Sequence, residues 1–188
     1  MKGELFLYES AKRLCAFEGG ALSSERCLVF IGGLTDGFLC NPYLEELAAM
    51  LGEKDVSFVQ PLLSSSYIGF GTSSLKIDAQ EIGLLLEHLR SKRMKREFIL
   101  VGFSTGCNDI VYYSKTVSSD IRQMIKSAVL QAPISDRESL QYTMPETDEL
   151  RQWAKKMIDQ GKSEQIHDRL FWGSAITAYR LHSLTSKL

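Results

Sequence analysis

Short apolar runs that alternate with helical patterns constrain the fold of this chain more than any other feature. Three of these runs, CLVFIGG (27–33), EFILVG (97–102) and SAVLQAP (127–133), are apolar at most positions. Strands buried on both faces have this composition, and such strands occur in parallel sheets that are covered by helices on both sides. The alternation therefore predicts a layered α/β fold with a mostly parallel sheet.

Six strands and then a helical tail are predicted along the chain. The strands are expected at 5–10, 14–19, 27–33, 56–63, 97–102 and 127–133, and the main helices at 41–51, 73–91, 105–115 and 148–161. Asn41 is expected to cap the first helix, with Pro42 at the first helical position. Beyond residue 133 no segment has the pattern of a strand, so helices are expected there.

The composition is that of an ordinary globular protein and argues against several classes of partner. The chain has 188 residues, enough for one domain with a substantial core, and its formal net charge is −1. A charge so close to zero argues against binding to nucleic acid. No segment approaches the roughly 18 apolar residues of a membrane span, so we expect none. The basic stretch RSKRMKRE (90–97) is interpreted as a solvated connection. The four cysteines form no CxxC pair and have no metal-ligand spacing, which favours a reducing, cytoplasmic location.

The motif G-x-S-x-G, with Ser104 between Gly102 and Gly106, lies between an apolar run and a helical pattern. In hydrolases with a nucleophile elbow, the serine lies on such a strand-to-helix turn. The N-terminus of the following helix also directs free N–H groups towards the serine. The sequence therefore predicts that Ser104 is a catalytic nucleophile. The alternative is a strand-to-helix turn with an incidental serine.

A second glycine-rich segment, FIGGLTDG (30–37), ends an earlier predicted strand. The tetrahedral intermediate of acyl transfer needs backbone N–H groups directed at its oxyanion. We expect the N–H groups of Leu34, after the pair Gly32 and Gly33, and of Thr105, after the nucleophile, to form this oxyanion hole. The alternative is a glycine-rich turn with no part in catalysis. Nucleotide binding is a weak hypothesis, because neither glycine-rich segment matches a phosphate-binding motif.

Five blocks of the sequence resemble an α/β-hydrolase family of fungi, plants and protozoa. In chain order, the blocks are VFIGGLTDGFLCNPYL, PLLSSSYIGFGTSSL, LVGFSTGCNDIVYY, LQAPISDRESL and ITAYRLHSLTS. The best-characterised members of the family are fungal siderophore esterases that hydrolyse fusarinine C. The resemblance implies the α/β-hydrolase fold, Ser104 as nucleophile and an oxyanion hole near Leu34. Phe103 departs from the family pattern, which often has histidine before the nucleophile.

Members of this family are longer than this chain, so the resemblance implies an incomplete fold. Residues 1–136 are expected to form the α/β-hydrolase core and residues 137–188 a helical cap-like segment. The last strands of the sheet are expected to be missing. The triad acid and histidine, which follow the serine in chain order, are expected to be missing with them. Strand 127–133 would then be an edge strand, whose unpaired backbone groups favour self-association.

The chain offers few candidates for the missing acid and base. Asp136 follows the sixth strand, where some hydrolases carry their acid, but it is interpreted first as a helix N-cap. His88 is expected on the surface of a helix. His167 and His182 belong to the cap-like segment, and either would approach Ser104 only by chance. Without a base, a serine hydroxyl is a poor nucleophile at neutral pH.

Two functions from different classes remain open. The first is a serine hydrolase that acts on a small carboxylic ester through Ser104, with no metal or organic cofactor. The second is a catalytically silent α/β-hydrolase-like binding or interaction protein. The hydroxyl-rich block SSSYIGFGTSS (64–74) either lines the pocket near Ser104 or is a plain loop. The identity of the substrate is not predicted, because one fold serves many chemistries.

Overall fold

A computed structural model describes residues 1–185, which form one six-stranded sheet with helices around it. The strands are β1 (Gly3–Glu9), β2 (Leu14–Gly20), β3 (Arg26–Ile31), β4 (Ser57–Pro61), β5 (Glu97–Phe103) and β6 (Ile125–Gln131). The helices are α1 (Leu44–Glu53), α2 (Leu75–Lys92), α3 (Gly106–Thr116), α4 (Ser119–Met124), α5 (Asp136–Thr143), α6 (Thr147–Asp159) and α7 (Ala178–Thr185), with a 3-10 helix at Tyr67–Thr72. The prediction of six strands followed by helices is confirmed. Residues 186–188 of the predicted cap-like segment lie outside the described residues.

The strand order is β1-β2-β4-β3-β5-β6. The last four strands in this order, β4, β3, β5 and β6, run parallel to one another. Strands β1 and β2 pair antiparallel and extend the sheet on one side. In the register of β3 and β5, Ile31 lies opposite Gly102. The two strands therefore end at the same level, so the glycine-rich segment after β3 and the serine turn after β5 leave the sheet side by side.

Helices cover both faces of the sheet. Apolar side chains of α2 and α3 pack on one face with alternate residues of the strands, and α1 packs on the other face. All five residues from Cys27 to Ile31 are buried, which explains why this run is apolar without alternation. Among residues 1–185, no helix has both the length and the apolar composition that crossing a bilayer requires.

Helix α1 begins later than the sequence predicts. Tyr43 occupies its N-cap position, and the preceding residues form a turn in which the Leu44 N–H group donates to the Asn41 carbonyl at 3.2 Å. The prediction that Asn41 caps the helix with Pro42 at its first position is therefore wrong. Leu44 is fully buried against the sheet, so we attribute the start of the helix to packing and not to local capping chemistry.

The segment that contains α5, α6 and α7 has a small apolar cluster of its own. Its buried members are Leu140, Leu150, Ala154, Phe171, Ile176, Leu181 and Leu184. The segment is attached to the 3-10 helix, where the Thr177 N–H group donates to the Gly71 carbonyl at 2.9 Å and Ser174 Oγ donates to the Ile68 carbonyl at 2.6 Å. A domain boundary between residues 136 and 137 stays a prediction.

The basic stretch before β5 is more than a solvated connection. Lys95 is fully buried, and its Nζ lies 2.7 Å from Oε1 of Glu18, a fully buried residue of β2. The same ammonium donates to the carbonyls of Leu22 and Ser24. Arg93 forms a second ion pair with Glu18. The interpretation of residues 90–97 as solvated is therefore wrong for Lys95 and Arg93, because a buried carboxylate on β2 needs cationic partners.

Removal of the charge of Glu18 should destabilise the protein strongly. Glu18→Gln leaves the Lys95 ammonium buried without its counter-charge, and we expect the free energy of unfolding to fall by about 3–5 kcal/mol. Urea denaturation measures this change. Arg26→Met is the control, since Arg26 pairs with Asp55 at the surface and such pairs contribute at most about 1 kcal/mol. Equal effects of the two substitutions would contradict this account.

Strand β6 is exposed although it lies in a parallel sheet. It pairs with β5 on one side, and no strand among residues 1–185 pairs with its other side. Val129 and Leu130 have relative accessibilities of 49% and 41%. Strand β6 therefore presents unpaired backbone groups together with apolar side chains, a combination that promotes edge-to-edge pairing.

We expect the chain to associate with itself through β6 at micromolar concentrations. Sedimentation velocity should show a species larger than the monomer, and Val129→Lys should reduce its population because a charge on an edge strand opposes pairing. Met50→Lys is the matched control, because Met50 is an exposed apolar residue on α1. A wild-type chain that is monomeric throughout, or two variants with the same behaviour, would refute the expectation.

Candidate active site

Ser104 lies on the turn between β5 and α3, as the sequence predicts. Its φ of 53° is in the left-handed region, which is uncommon and strained for a residue other than glycine. The turn is held by hydrogen bonds from the Ser104 N–H group to the Gln131 carbonyl at 3.0 Å and from the Cys107 N–H group to the Ser104 carbonyl at 3.1 Å. Hydrogen bonds to β6 and from α3 therefore fix the backbone conformation of Ser104.

The glycines on either side of Ser104 are required by close backbone contacts. A Cβ atom at Gly102 would lie 2.6 Å from the Gly106 carbonyl oxygen. A Cβ atom at Gly106 would lie 2.4 Å from the Gly32 carbonyl oxygen and 2.5 Å from that of Ile31. The spacing of the motif thus has two causes: Gly102 permits the tight turn, and Gly106 permits α3 to approach the end of β3.

The glycine-rich segment lies directly beside the serine. A Cβ atom at Gly33 would be 3.0 Å from Cβ of Ser104. The Gly33 N–H group donates to Asp36 Oδ2 at 2.6 Å, and the Asp36 N–H group donates back to the Gly33 carbonyl at 3.1 Å. Sequence reasoning missed this role of Asp36, although aspartate in a glycine-rich turn often binds the backbone in this way.

Two backbone donors beside the serine are available. Within residues 1–185, the N–H groups of Leu34 and Thr105 donate to no carbonyl or side-chain acceptor. The hydrogen bond to Asp36 engages Gly33, so Leu34 supplies the next N–H group of the loop. Both Leu34 and Thr105 border the same cavity. These are the two positions that the sequence analysis selected, and their part in catalysis stays a prediction.

The cavity beside these donors is small and mostly polar. Its volume is about 20 Å³, and the hydroxyl-rich block 64–74 contributes Ser65, Ser66 and Phe70 to its wall. Of the two alternatives given for this block, a wall of the pocket or a plain loop, the position of these three residues agrees with the first. The helical segment after β6 contributes Asp136 and Arg180.

Three carboxylates with raised pKa values surround this cavity. Burial raises the pKa of Asp78 to about 6 although Ser73 Oγ donates to its Oδ1 at 2.8 Å. Burial also raises the pKa of Asp109 well above its ordinary value, and raises that of Asp136. The nearby Arg180 guanidinium opposes all three increases.

Sequence reasoning missed most of this charged group. Asp78 had a signal, because it lies at helical spacing from Leu75 and Ile82 on the buried face of α2. Asp136 was interpreted first as an N-cap, which is wrong: Ser135 caps α5, and its Oγ accepts from the Glu138 N–H group at 3.3 Å. The sequence gives no comparable signal for the nearly full burial of Arg180, which depends on how the segment after β6 packs.

The contacts of His88 and His167 lie away from Ser104. His88 is half-buried on α2, with its ring stacked on Phe6 at 5.2 Å. His167 packs edge-on against Trp153 at 4.6 Å, and its Nδ1 accepts from the Arg169 N–H group. In the part of the chain that the structure describes, the Ser104 hydroxyl has no hydrogen bond to a histidine.

The match to a family model covers almost the whole chain, residues 2–187, and the description of that family is "Protein of unknown function (DUF1749)". The chain belongs to this family. Two fungal relatives carry functional names. An esterase of Emericella nidulans is 32% identical over 179 residues, which span 80% of this chain and 48% of that protein. The fusarinine C esterase of Aspergillus fumigatus is 28% identical over 163 residues, which span 74% and 46%.

Solved structures establish the fold class. The siderophore hydrolase EstB of Aspergillus fumigatus superposes with a TM-score of 0.75 at 24% identity, over 99% of this chain and 64% of that one. An α/β-hydrolase fold protein of unknown function has a TM-score of 0.69 at 25% identity, over 88% and 56%. The chain therefore has the α/β-hydrolase fold, and the resemblance to a family with fungal siderophore esterases is confirmed. It spans about half the length of the two esterases.

Gly106→Ala should disrupt the junction between the serine turn and β3. The new methyl group would meet two backbone carbonyls at 2.4 and 2.5 Å, so we expect a loss of about 1–3 kcal/mol in the free energy of unfolding. Gly83→Ala is the control, because its methyl group would meet only the Tyr113 ring at 3.5 Å inside α2, where alanine is the better helix former. Thermal and urea unfolding of both variants test the expectation, which fails if Gly106→Ala is as stable as wild type.

Proposed function

We propose that the protein is an ester hydrolase in which Ser104 is the nucleophile. The observation that carries the proposal is the conformation of Ser104, a strained residue on a strand-to-helix turn with two available N–H donors beside it. Similarity to two proteins that are named esterases supports the same reaction class. The proposed substrate is a small carboxylic ester.

The proposed reaction has two steps. The Ser104 oxygen adds to the ester carbonyl carbon, its proton passes to a base, and the carbonyl electron pair moves to the oxygen. The N–H groups of Leu34 and Thr105 then donate to this oxyanion, as backbone donors do in acyl transfer. Collapse of the intermediate releases the alcohol, which takes up the proton. Water then attacks the acyl-enzyme in the same way, releases the carboxylic acid and restores the serine hydroxyl.

A second candidate is a catalytically silent binding protein with the same fold. The observation that favours it is the position of His88 and His167, which pack against Phe6 and Trp153 and not against Ser104. Without a base the hydroxyl keeps its proton, and only the oxyanion hole and substrate binding would remain to promote reaction. In this case the cavity would hold a ligand without cleaving it.

Labelling with a fluorophosphonate probe separates the two candidates. We expect the purified chain to be labelled and Ser104→Ala to remain unlabelled, because only an activated serine attacks the phosphorus atom. Ser114→Ala is the matched control: Ser114 is an exposed serine of α3, and its loss should leave labelling unchanged.

Each outcome of this experiment assigns one of the two functions. Labelling that depends on Ser104 would support the hydrolase and would require a base from this chain or from a second copy of it. No labelling of a sample that unfolds cooperatively would refute the hydrolase proposal for this chain and favour the silent binding protein.

A further inference from the structure

Tyr67 combines an exposed side chain with a strained backbone. Its φ of 56° lies in the left-handed region, which is uncommon for a residue other than glycine. The residue is 50% exposed, so burial in the core does not account for this conformation. A strained residue persists only when its surroundings determine its conformation, and such residues gather at functional sites. The strain at Tyr67 therefore indicates that its contacts have a role.

Tyr67 contacts three consecutive residues of the glycine-rich segment that follows β3. Its N–H group donates to the Asp36 carbonyl at 3.1 Å. Its ring lies against Gly37, where a Cβ atom would come within 2.0 Å of two ring carbons. Its hydroxyl oxygen accepts from the Phe38 N–H group at 3.3 Å. The backbone, the ring and the hydroxyl group of Tyr67 thus all contact the same short stretch.

Asp36 connects Tyr67 to the N–H donor of Leu34. Asp36 Oδ2 accepts from the Gly33 N–H group, and the Asp36 N–H group donates back to the Gly33 carbonyl. These two hydrogen bonds close a turn that contains Leu34 and Thr35, and Thr35 has a φ of 67°. A strained turn keeps its shape only while the surrounding structure holds it. The hydrogen bond from Tyr67 holds this turn at Asp36.

Tyr67 is itself carried by a segment that is anchored to α2. Before it in the chain, the N–H group and Oγ of Ser64 donate to the buried carboxylate of Glu81 at 2.7 and 2.6 Å. After it, Ser73 Oγ donates to Asp78 Oδ1 at 2.8 Å. Both carboxylates lie on the buried face of α2. The segment is therefore held on both sides of Tyr67, which gives the glycine-rich loop a fixed support.

We propose that Tyr67 is a positioning residue that keeps the Leu34 N–H group directed at the oxyanion. This inference rests on the proposed function, since the oxyanion is that of the ester attacked by Ser104. Donors stabilise an oxyanion most when they are fixed before the reaction begins. Tyr67 acts on Leu34 through Asp36 and Gly37, so its loss should slow the attack of Ser104 more than it weakens binding.

The test is the reaction of the full chain with a fluorophosphonate at a series of probe concentrations. Such a series gives the limiting rate of phosphorylation and the probe concentration at half of that rate. In the reaction the Ser104 oxygen bonds to phosphorus, fluoride leaves with its electron pair, and the hydroxyl proton passes to a base. Negative charge grows on the phosphoryl oxygen, where the oxyanion donors act. A misplaced donor therefore lowers the limiting rate.

Two variants of Tyr67 and one control measure its contribution. We expect Tyr67→Ala to lower the limiting rate at least about tenfold and to change the half-saturating concentration by less than about twofold. Tyr67→Phe keeps the ring against Gly37 and loses one hydrogen bond, so its limiting rate should stay within about fivefold of wild type. Tyr142→Ala is the matched control, because Tyr142 of α5 is 91% exposed, and it should react as wild type does.

Gly37→Ala tests the same contact from the other residue. Its methyl group would occupy the place of the Tyr67 ring, which has solvent to turn into. We expect the limiting rate to fall as in Tyr67→Ala, with a urea midpoint close to that of wild type. A purely structural role would give a different result, because a loss of stability reduces the labelled fraction and leaves the limiting rate of the folded protein unchanged.

The proposal is overturned if Tyr67→Ala reacts at the wild-type limiting rate. If this variant does not fold, the same result with Gly37→Ala overturns it. A wild-type chain without labelling refutes the hydrolase, and amide hydrogen exchange then tests the positioning alone. The N–H groups of Gly33 and Asp36 should exchange faster in Tyr67→Ala than in Tyr142→Ala, and equal exchange would overturn the positioning role. Labelled wild type with the same limiting rate in all variants would instead keep the hydrolase and reject the role of Tyr67.

Discussion

The site depends on the close contact between Gly106 and the backbone carbonyls at the end of β3. The register that pairs Ile31 with Gly102 brings the two strand ends together. The absence of a side chain at Gly106 then lets α3 start directly against Ile31 and Gly32. Because α3 begins there, Ser104 is held at positive φ and the loop with Leu34 lies beside it. One backbone approach therefore positions the serine and both available N–H donors.

Two buried charged groups in this protein differ in how far they are neutralised. At one end of the sheet, the carboxylate of Glu18 is in direct contact with Lys95, and carbonyl oxygens accept the remaining ammonium protons. Arg93 forms a second ion pair with Glu18, so two cations offset the charge of this buried carboxylate. Beside Ser104, Arg180 and three carboxylates line one cavity, and two buried guanidinium nitrogens have no hydrogen-bond partner among the described residues.

The sequence predicts the parts of this fold that depend on local pattern. The apolar run at residues 27–33 and the glycines around Ser104 reflect interactions between residues that are close in the chain. The structure has the strand and the turn that these patterns predict. The start of α1, the burial of Lys95 and the position of Arg180 depend instead on contacts between distant segments. Lys95, for example, is paired with a residue 77 positions earlier in the chain, and a basic stretch read by itself indicates only a solvated loop.

Binding and hydrolysis make different demands on this site. The free N–H groups of Leu34 and Thr105 belong to the backbone of the scaffold, and donors of this kind bind a ligand with suitably placed oxygens. Hydrolysis also requires a base that removes the proton of the Ser104 hydroxyl. Among residues 1–185, no hydrogen bond joins this hydroxyl to a histidine. Binding of an ester therefore requires less of the chain than its cleavage does. For this reason binding and hydrolysis must be measured separately.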